Sequence, residues 1–160
     1  MLRRVLPLLA VLALVAAPAA RADDNGVYQA WIAHDAKFER LAEKIRATER
    51  SSRTRRQKAT RIIALIDDMR EVLAENTTGV RAQEPSSEKG TEAKALALKS
   101  NARVDASVLN TRKGLRLFLD GASQSKIDRY LRRGRVLIKE ASAYAKRART
   151  AFKEAGVSVG

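Results

Sequence analysis

An unbroken alternation of three- and four-residue steps from Trp31 to Leu73 constrains the fold of this chain more than any other feature. The positions along this stripe are Trp31, His34, Phe38, Leu41, Ile45, Thr48, Ser52, Arg55, Ala59, Ile62, Ile66, Met69 and Leu73. Such spacing places side chains on one face of a helix. Both ends of the stripe are apolar, whereas Thr48, Ser52 and Arg55 are polar. A helix through this region must therefore expose its middle or break there.

The scarcity of residues that interrupt helices predicts an all-α protein. Six of the eight glycines lie between or beyond the periodic stretches, and Pro85 is the only proline after residue 22. Ala, Arg, Lys, Glu and Leu fill the intervals, and these residues have high helix propensity. We therefore expect an antiparallel helical bundle without β-sheet.

Three periodic stretches follow the polar opening at residues 23–26. The first covers residues 27–76, the second residues 92–119 with Thr91 as its cap, and the third begins at the Ser125-Lys126-Ile127-Asp128 capping-box pattern. Residues 77–90 carry few apolar side chains and are expected to form a flexible linker. Gly134 and three alanines on the last helix would let a neighbour approach closely, and the short 120–125 connection predicts antiparallel packing.

Two architectures are compatible with the first stretch. One continuous helix over 27–76 would be roughly 75 Å long and would give a three-helix bundle with an overhanging first helix. A break near 51–54 would give four helices of similar length. The Thr54-Arg55-Arg56-Gln57 capping-box pattern favours the break, whereas the absence of Gly and Pro favours continuity. Because the helical spacing is unbroken, the sequence slightly favours the continuous helix.

The first 22 residues have the pattern of a cleaved signal peptide. Arg3 and Arg4 precede an apolar run over residues 5–20, and the Ala20-Arg21-Ala22 sequence matches a signal-peptidase site. The run has 16 residues and two prolines, whereas a membrane span needs about 20 apolar residues. Cleavage would leave residues 23–160 as a single helical domain without a membrane anchor. We expect a periplasmic or secreted bacterial protein, and the absence of cysteine excludes disulfides and lipidation.

Positive charge is the strongest compositional signal in the mature chain. After residue 22 the chain has 29 Lys and Arg residues and 18 acids, a net charge of +11. Three blocks hold the candidate polyanion-binding residues, namely Arg53, Arg55, Arg56, Lys58 and Arg61; Arg129, Arg132, Arg133 and Arg135; and Lys146, Arg147 and Arg149. Such blocks suit lipopolysaccharide, anionic lipid or an acidic client protein. The competing interpretation is that these residues are charged only because they lie on solvent-exposed faces of helices.

Aromatic residues make up only 4% of the chain. Proteins that bind single-stranded nucleic acid stack bases on aromatic side chains. Nucleic acid is therefore not the expected partner, and an acidic component of the envelope or a protein partner is. A homo-oligomer is also compatible with the sequence.

His34 and Met69 form a candidate haem site under the four-helix architecture. If the chain turns near Ser52, they lie 18 and 17 residues from the turn and meet at one level. Histidine and methionine are a known axial pair of haem iron, although a core methionine beside a half-buried histidine is the plainer interpretation. A small b-type haem protein is thus one alternative to envelope binding, and a structural coiled-coil component is another. We expect no catalytic site, no metal site and no cofactor, because no motif for them occurs.

Overall fold

The computed structural model describes residues 23–159, in which five helices and no strand occur. The helices are α1 (Asp24–Ile32), α2 (Asp35–Arg50), α3 (Arg55–Ala82), α4 (Glu88–Leu119) and α5 (Gln124–Glu154). They pack as an all-α antiparallel bundle, as the sequence predicts. The predicted signal peptide over residues 1–22 lies outside the described residues.

The polar middle of the Trp31–Leu73 stripe is a turn. Ser51 and Thr54 adopt extended backbone conformations between α2 and α3. The Thr54 side chain accepts a hydrogen bond from Gln57 N at 3.3 Å, and Gln57 Oε1 accepts one from Thr54 N at 3.0 Å. This capping box satisfies backbone donors that a helix start leaves free. The predicted break near 51–54 is confirmed, the continuous helix over 27–76 is wrong, and the resulting helices are not of similar length.

A second break, which the sequence did not predict, separates α1 from α2 at Ala33 and His34. The break lets the short α1 pack against α3, α4 and α5 at once. Tyr28 and Trp31 bury their rings there, with centroids 5.3 Å and 6.0 Å from that of Phe152. Val27 and Phe152 are fully buried in this cluster. Aromatic packing of this kind is a major stabilising term in a small core.

The connection between α3 and α4 is shorter than the predicted linker over 77–90. α3 continues to Ala82 and α4 begins at Glu88, so only residues 83–87 lie outside helices. The cap of α4 is Ser87, whose hydroxyl accepts from Gly90 N at 2.9 Å, and the predicted cap at Thr91 is wrong. The Asp24 carboxylate accepts from Ser86 N at 2.8 Å and from Ser87 N at 3.3 Å. These long-range bonds tie the connection to α1.

α4 and α5 form the most extensive helix pair. Ser107 Oγ donates to Gly134 O at 2.8 Å, and a Cβ on Gly134 would lie 2.8 Å from Thr111 Oγ1. The predicted close approach at Gly134 and the antiparallel pairing are therefore confirmed. The cap of α5 is Ser123, two residues before Ser125, so the predicted capping box at Ser125 is wrong.

Ion pairs fix the antiparallel register of α3 and α4. Arg112 Nε lies 2.7 Å from Asp67 Oδ1, and Arg70 Nε lies 2.9 Å from Asp105 Oδ1. Since α2 and α3 are also antiparallel, the turns at 51–54 and 120–123 lie at the same end of the bundle. We call this the turn end and the opposite end, which α1 covers, the α1 end.

Candidate functional site

The fold brings two of the three predicted cation blocks to the turn end. Arg53 lies in the 51–54 turn, and the other members of its block occupy the first two turns of α3. The block from Arg129 to Arg135 lies in the first half of α5, which starts beside the other turn. All nine side chains are exposed except that of Lys58, which is half-buried. Residues far apart in sequence thus share one end of the molecule.

The third block lies at the α1 end. Lys146, Arg147 and Arg149 occupy the second half of α5. The Arg149 guanidinium lies 5.8 Å from the centroid of the Trp31 ring, a cation–π contact. Burial raises the pKa of Asp35, and the nearby charge of Arg149 partly offsets that rise. Arg149 therefore contributes to local packing and electrostatics, and the block is separate from the other two.

Charge is strongly segregated along the bundle. Residues 43–69 and 107–135, which form the turn end, contain 16 Lys and Arg residues and six acids, a net charge of +10. The other described residues contain 13 Lys and Arg residues and 12 acids, a net charge of +1. Nearly all of the net positive charge of the described residues therefore lies at one end of the molecule.

None of the predicted cationic side chains forms an ion pair within residues 23–159. Within residues 23–159, the pairs closer than 4.0 Å involve other cationic side chains, namely His34, Lys37, Arg70, Lys89, Arg103 and Arg112. Among the predicted residues, Lys58 donates to the backbone, from Nζ to Glu49 O at 2.7 Å. An arginine without a carboxylate partner keeps its guanidinium donors available for an external anion.

A groove beside the α2–α3 turn is lined by several cationic side chains of the turn end. It has a volume of about 840 Å³ and is lined by four cations, Lys44, Arg53, Arg56 and Arg61. Its other lining residues are Ala47, Thr48, Gln57, Thr60, Ala64 and Leu119. Lys44 belongs to no cation block, and only the register of α2 against α3 reveals that it joins this set.

A second concave region of the turn end surrounds Tyr130. Lys113 Nζ lies 4.7 Å from the centroid of the Tyr130 ring, and both residues line a cavity of about 450 Å³ with Arg116. A hydrogen bond and the charge of Lys113 lower the pKa of Tyr130, with smaller effects from Lys126 and Arg129. Sequence reasoning missed Lys113, Arg116 and Lys126 because they occur singly rather than in a block.

The structure does not bring His34 and Met69 to one level. His34 Nδ1 lies 4.0 Å from Glu75 Oε2, and Glu75 follows Met69 by six residues on α3. Six helical residues span about 9 Å, which does not suit two axial ligands of one iron. The prediction assumed that α2 and α3 pair about Ser52, which would place Lys37 opposite residue 67, whereas the ion pair of Lys37 is with Glu75 at 3.6 Å.

Residues 23–159 contain no group of three or more His, Asp or Glu side chains that could hold a metal ion. Comparison of the chain with protein-family models, curated proteins and solved structures found no match. What the protein binds must therefore be inferred from the charge and shape of the turn end.

Proposed function

We propose that the protein is an exported, non-enzymatic binding protein whose turn end engages a polyanion of the bacterial cell envelope. The observation that carries this proposal is the net charge of +10 on residues 43–69 and 107–135, against +1 on the other described residues. Lipopolysaccharide phosphates, anionic lipid headgroups and an acidic client protein all offer the complementary charge. The predicted leader sequence supports a location in which such envelope components occur.

Acids at the α1 end cannot neutralise the turn end in physiological salt. α4 has 32 residues, and a helix of that length extends about 48 Å. The Debye length is about 8 Å at 0.15 M ionic strength, so charges at opposite ends are screened from each other. The turn end therefore acts as an independent positive surface that attracts anions and orients the bundle as it approaches them.

The turn end would bind a membrane through ionic contacts with its charged headgroups, and it would not insert into the bilayer. The turns at 51–54 and 120–123 consist of polar residues with one glycine and one alanine, and present no large apolar side chain. Among the helices of residues 23–159, none is both long and apolar enough to cross a membrane. Without an apolar anchor, affinity must come from ionic contacts and must fall steeply as salt rises.

Co-sedimentation with vesicles that contain phosphatidylglycerol tests the proposal. The informative variant carries Arg129→Gln, Arg132→Gln and Arg133→Gln, and the matched control carries Lys146→Gln, Arg147→Gln and Lys153→Gln. Both remove three exposed charges from α5. We expect the turn-end variant to lose roughly tenfold in affinity and the control to lose much less. Equal losses, or no binding of the unmodified protein at low salt, would contradict the proposal.

The two alternative functions have weaker support. The separation of His34 from Met69 leaves haem binding without its axial pair. A purely structural role does not account for the concentration of net positive charge at one end. Whether the chain forms a homo-oligomer stays a prediction for mass measurement in solution.

A further inference from the structure

The groove at the α2–α3 turn differs from the cavity around Tyr130, whose cations all lie on α4, because its cations come from separate elements. Lys44 is on α2, Arg53 is in the turn, and Arg56 and Arg61 are on α3. All four side chains are exposed, and none is in an ion pair within residues 23–159. Convergence of unpaired cations on one concave surface is what a multivalent anion requires.

We infer that this groove is a specific site for a ligand with clustered phosphate groups, either soluble polyphosphate or the phosphorylated headgroup of a lipid. The inference deepens the proposed function, on which it rests, by naming the chemical class of the ligand and the residues that contact it. It assigns Lys44, Arg53, Arg56 and Arg61 to the phosphate groups.

The lining chemistry favours phosphate over other anionic ligands. Three of the four cations are arginines, whose planar guanidinium binds phosphate through two parallel hydrogen bonds. The volume of about 840 Å³ lies within the usual range of small-molecule sites. No aromatic residue lines the groove, so it offers no stacking platform for a nucleobase.

The apolar part of the lining is too small to hold an acyl chain. It consists of Ala47, Ala64 and Leu119. A lipid ligand would therefore place only its headgroup in the groove. The site distinguishes ligands by the number and spacing of their phosphates.

Local hydrogen bonds hold the walls of the groove in place. Lys58 Nζ donates to Glu49 O at 2.7 Å and links the start of α3 to the end of α2. Ser51 Oγ donates to Thr48 O at 2.7 Å, and the capping box fixes Thr54. A turn held in this way fixes the backbone positions of the cations before the ligand arrives, which reduces the entropic cost of binding.

Sodium tripolyphosphate is the soluble probe for this site. The groove variant carries Arg53→Gln, Arg56→Gln and Arg61→Gln, and its matched control is the Arg129→Gln, Arg132→Gln, Arg133→Gln variant at the same end. We expect calorimetry in about 0.15 M salt to show a loss of roughly tenfold or more for the groove variant and much less for the control. Amide NMR shifts of the unmodified protein should concentrate in residues 44–64.

A charge-conserving variant tests whether the guanidinium geometry of arginine contributes to tripolyphosphate affinity beyond its positive charge. Replacement of Arg53, Arg56 and Arg61 by lysine keeps the charge but removes the bidentate hydrogen bonds. We expect an intermediate loss of tripolyphosphate affinity with unchanged helical circular dichroism and thermal midpoint. Wild-type affinity in the groove glutamine variant, or NMR shifts spread equally over both halves of the turn end, would overturn the inference.

Vesicles distinguish the two phosphate sources. A preference for phosphatidic acid over phosphatidylglycerol at equal surface charge, lost only in the groove variant, assigns the site to lipid headgroups. Tripolyphosphate binding without that preference assigns it to soluble phosphates. If the groove and control variants lose vesicle and tripolyphosphate affinity equally, the groove site is wrong while binding by the turn end stands. Absence of vesicle binding at low salt defeats the proposed function itself.

Discussion

Asn101 on α4 donates a hydrogen bond from Nδ2 to Oδ1 of Asn76 on α3, across 2.8 Å. Asn76 in turn donates from its own Nδ2 to Trp31 O at 2.7 Å and to Ala30 O at 3.2 Å. Both asparagines are buried, since Asn76 is 3% exposed and Asn101 is 6% exposed. The last carbonyls of a helix lack intrahelical partners. The two amides therefore connect three helices and satisfy the end of α1.

Asn76→Ala should destabilise the protein by about 2–4 kcal/mol, because it leaves two carbonyls of α1 without their donor and leaves the buried Asn101 amide only its bond to Thr77 Oγ1. Urea unfolding followed by circular dichroism measures the loss. Asn101→Ala should cost less, since Asn76 would keep its bonds to α1. The double variant should cost less than the sum of the two single variants. Strictly additive losses would show that the two amides are not coupled.

Gly90→Ala should destabilise the protein although it replaces a glycine within a helix. Helix propensity alone predicts a gain of about 1 kcal/mol. The added Cβ, however, would overlap the Asp24 carboxylate, so α1 or the 83–87 connection must shift. We expect a net loss of about 1–3 kcal/mol by thermal or urea unfolding. Gly79→Ala is the control, because no atom lies within 4 Å of its Cβ position, and it should stabilise the protein.

Asp24 should make stability depend on pH in the acid range. Burial raises the pKa of Asp24, but hydrogen bonds from Ser87 and Ser86 outweigh burial and bring it below its ordinary value of 3.8. A lowered folded-state pKa means that the stabilisation is present above the unfolded pKa and is lost as pH falls through the folded pKa. Asp24→Asn should therefore be clearly less stable than the unmodified protein at neutral pH.

The difference in free energy of unfolding between the unmodified protein and Asp24→Asn should become smaller below about pH 4. Urea midpoints measured between neutral and acid pH follow this change. Asp23→Asn is a useful comparison, since Asp23 lies beside Asp24 but is exposed, and its side chain accepts hydrogen bonds only from the start of α1. A stability difference for Asp24→Asn that stays constant with pH would contradict the role given to its charge.

Much of the fold follows from local sequence patterns. The stripe from Trp31 to Leu73 predicts the helical face, and the pattern at Thr54 and Gln57 marks the turn that interrupts it. Gly134 marks the closest approach of α4 and α5. Each signal depends on residues within a few positions of one another, which is why sequence alone detects it.

Features that depend on distant partners could not be predicted in the same way. The start of α4 is fixed by hydrogen bonds from Ser86 and Ser87 to Asp24, more than 60 residues away in sequence. Likewise, the groove unites Lys44 with Arg61 only through the register of α2 against α3. The sequence identified nine cations of the turn end in two blocks, but their common location depends on the antiparallel packing.

Tyr130 should report the positive potential of the turn end. Its pKa is lowered chiefly by Lys113, through a hydrogen bond and through charge. Lys113→Met should therefore raise the pKa of Tyr130 toward its ordinary value of 10.0. NMR of protein with labelled tyrosine rings resolves the Tyr130 signal from those of the other tyrosines and follows its titration. Lys99→Met, which removes an exposed lysine at the other half of α4, should leave it unchanged.

The turn at 51–54 should be convertible into continuous helix by replacing all four residues with alanine. The stripe keeps its helical spacing across the turn, and neither Gly nor Pro interrupts it. Loss of the Thr54 cap alone costs about 1 kcal/mol, and alanine favours helix at each position. Two chains with a continuous α2–α3 helix can exchange their first segments and recover the same packing, so we expect a domain-swapped dimer.

Light scattering should then show a dimer mass, and spin labels at positions 37 and 75 should report the conformational change. Lys37 Nζ lies 3.6 Å from Glu75 Oε2 in the hairpin, whereas 38 residues of continuous helix separate the same positions by about 57 Å. Labelled chains diluted with unlabelled ones restrict the measurement to distances within one chain. Ser52→Ala alone preserves the capping box and should keep the mass of the unmodified protein and a short distance between the labels. A short distance in the four-alanine variant would show that packing of α2 on α3 enforces the turn without its cap.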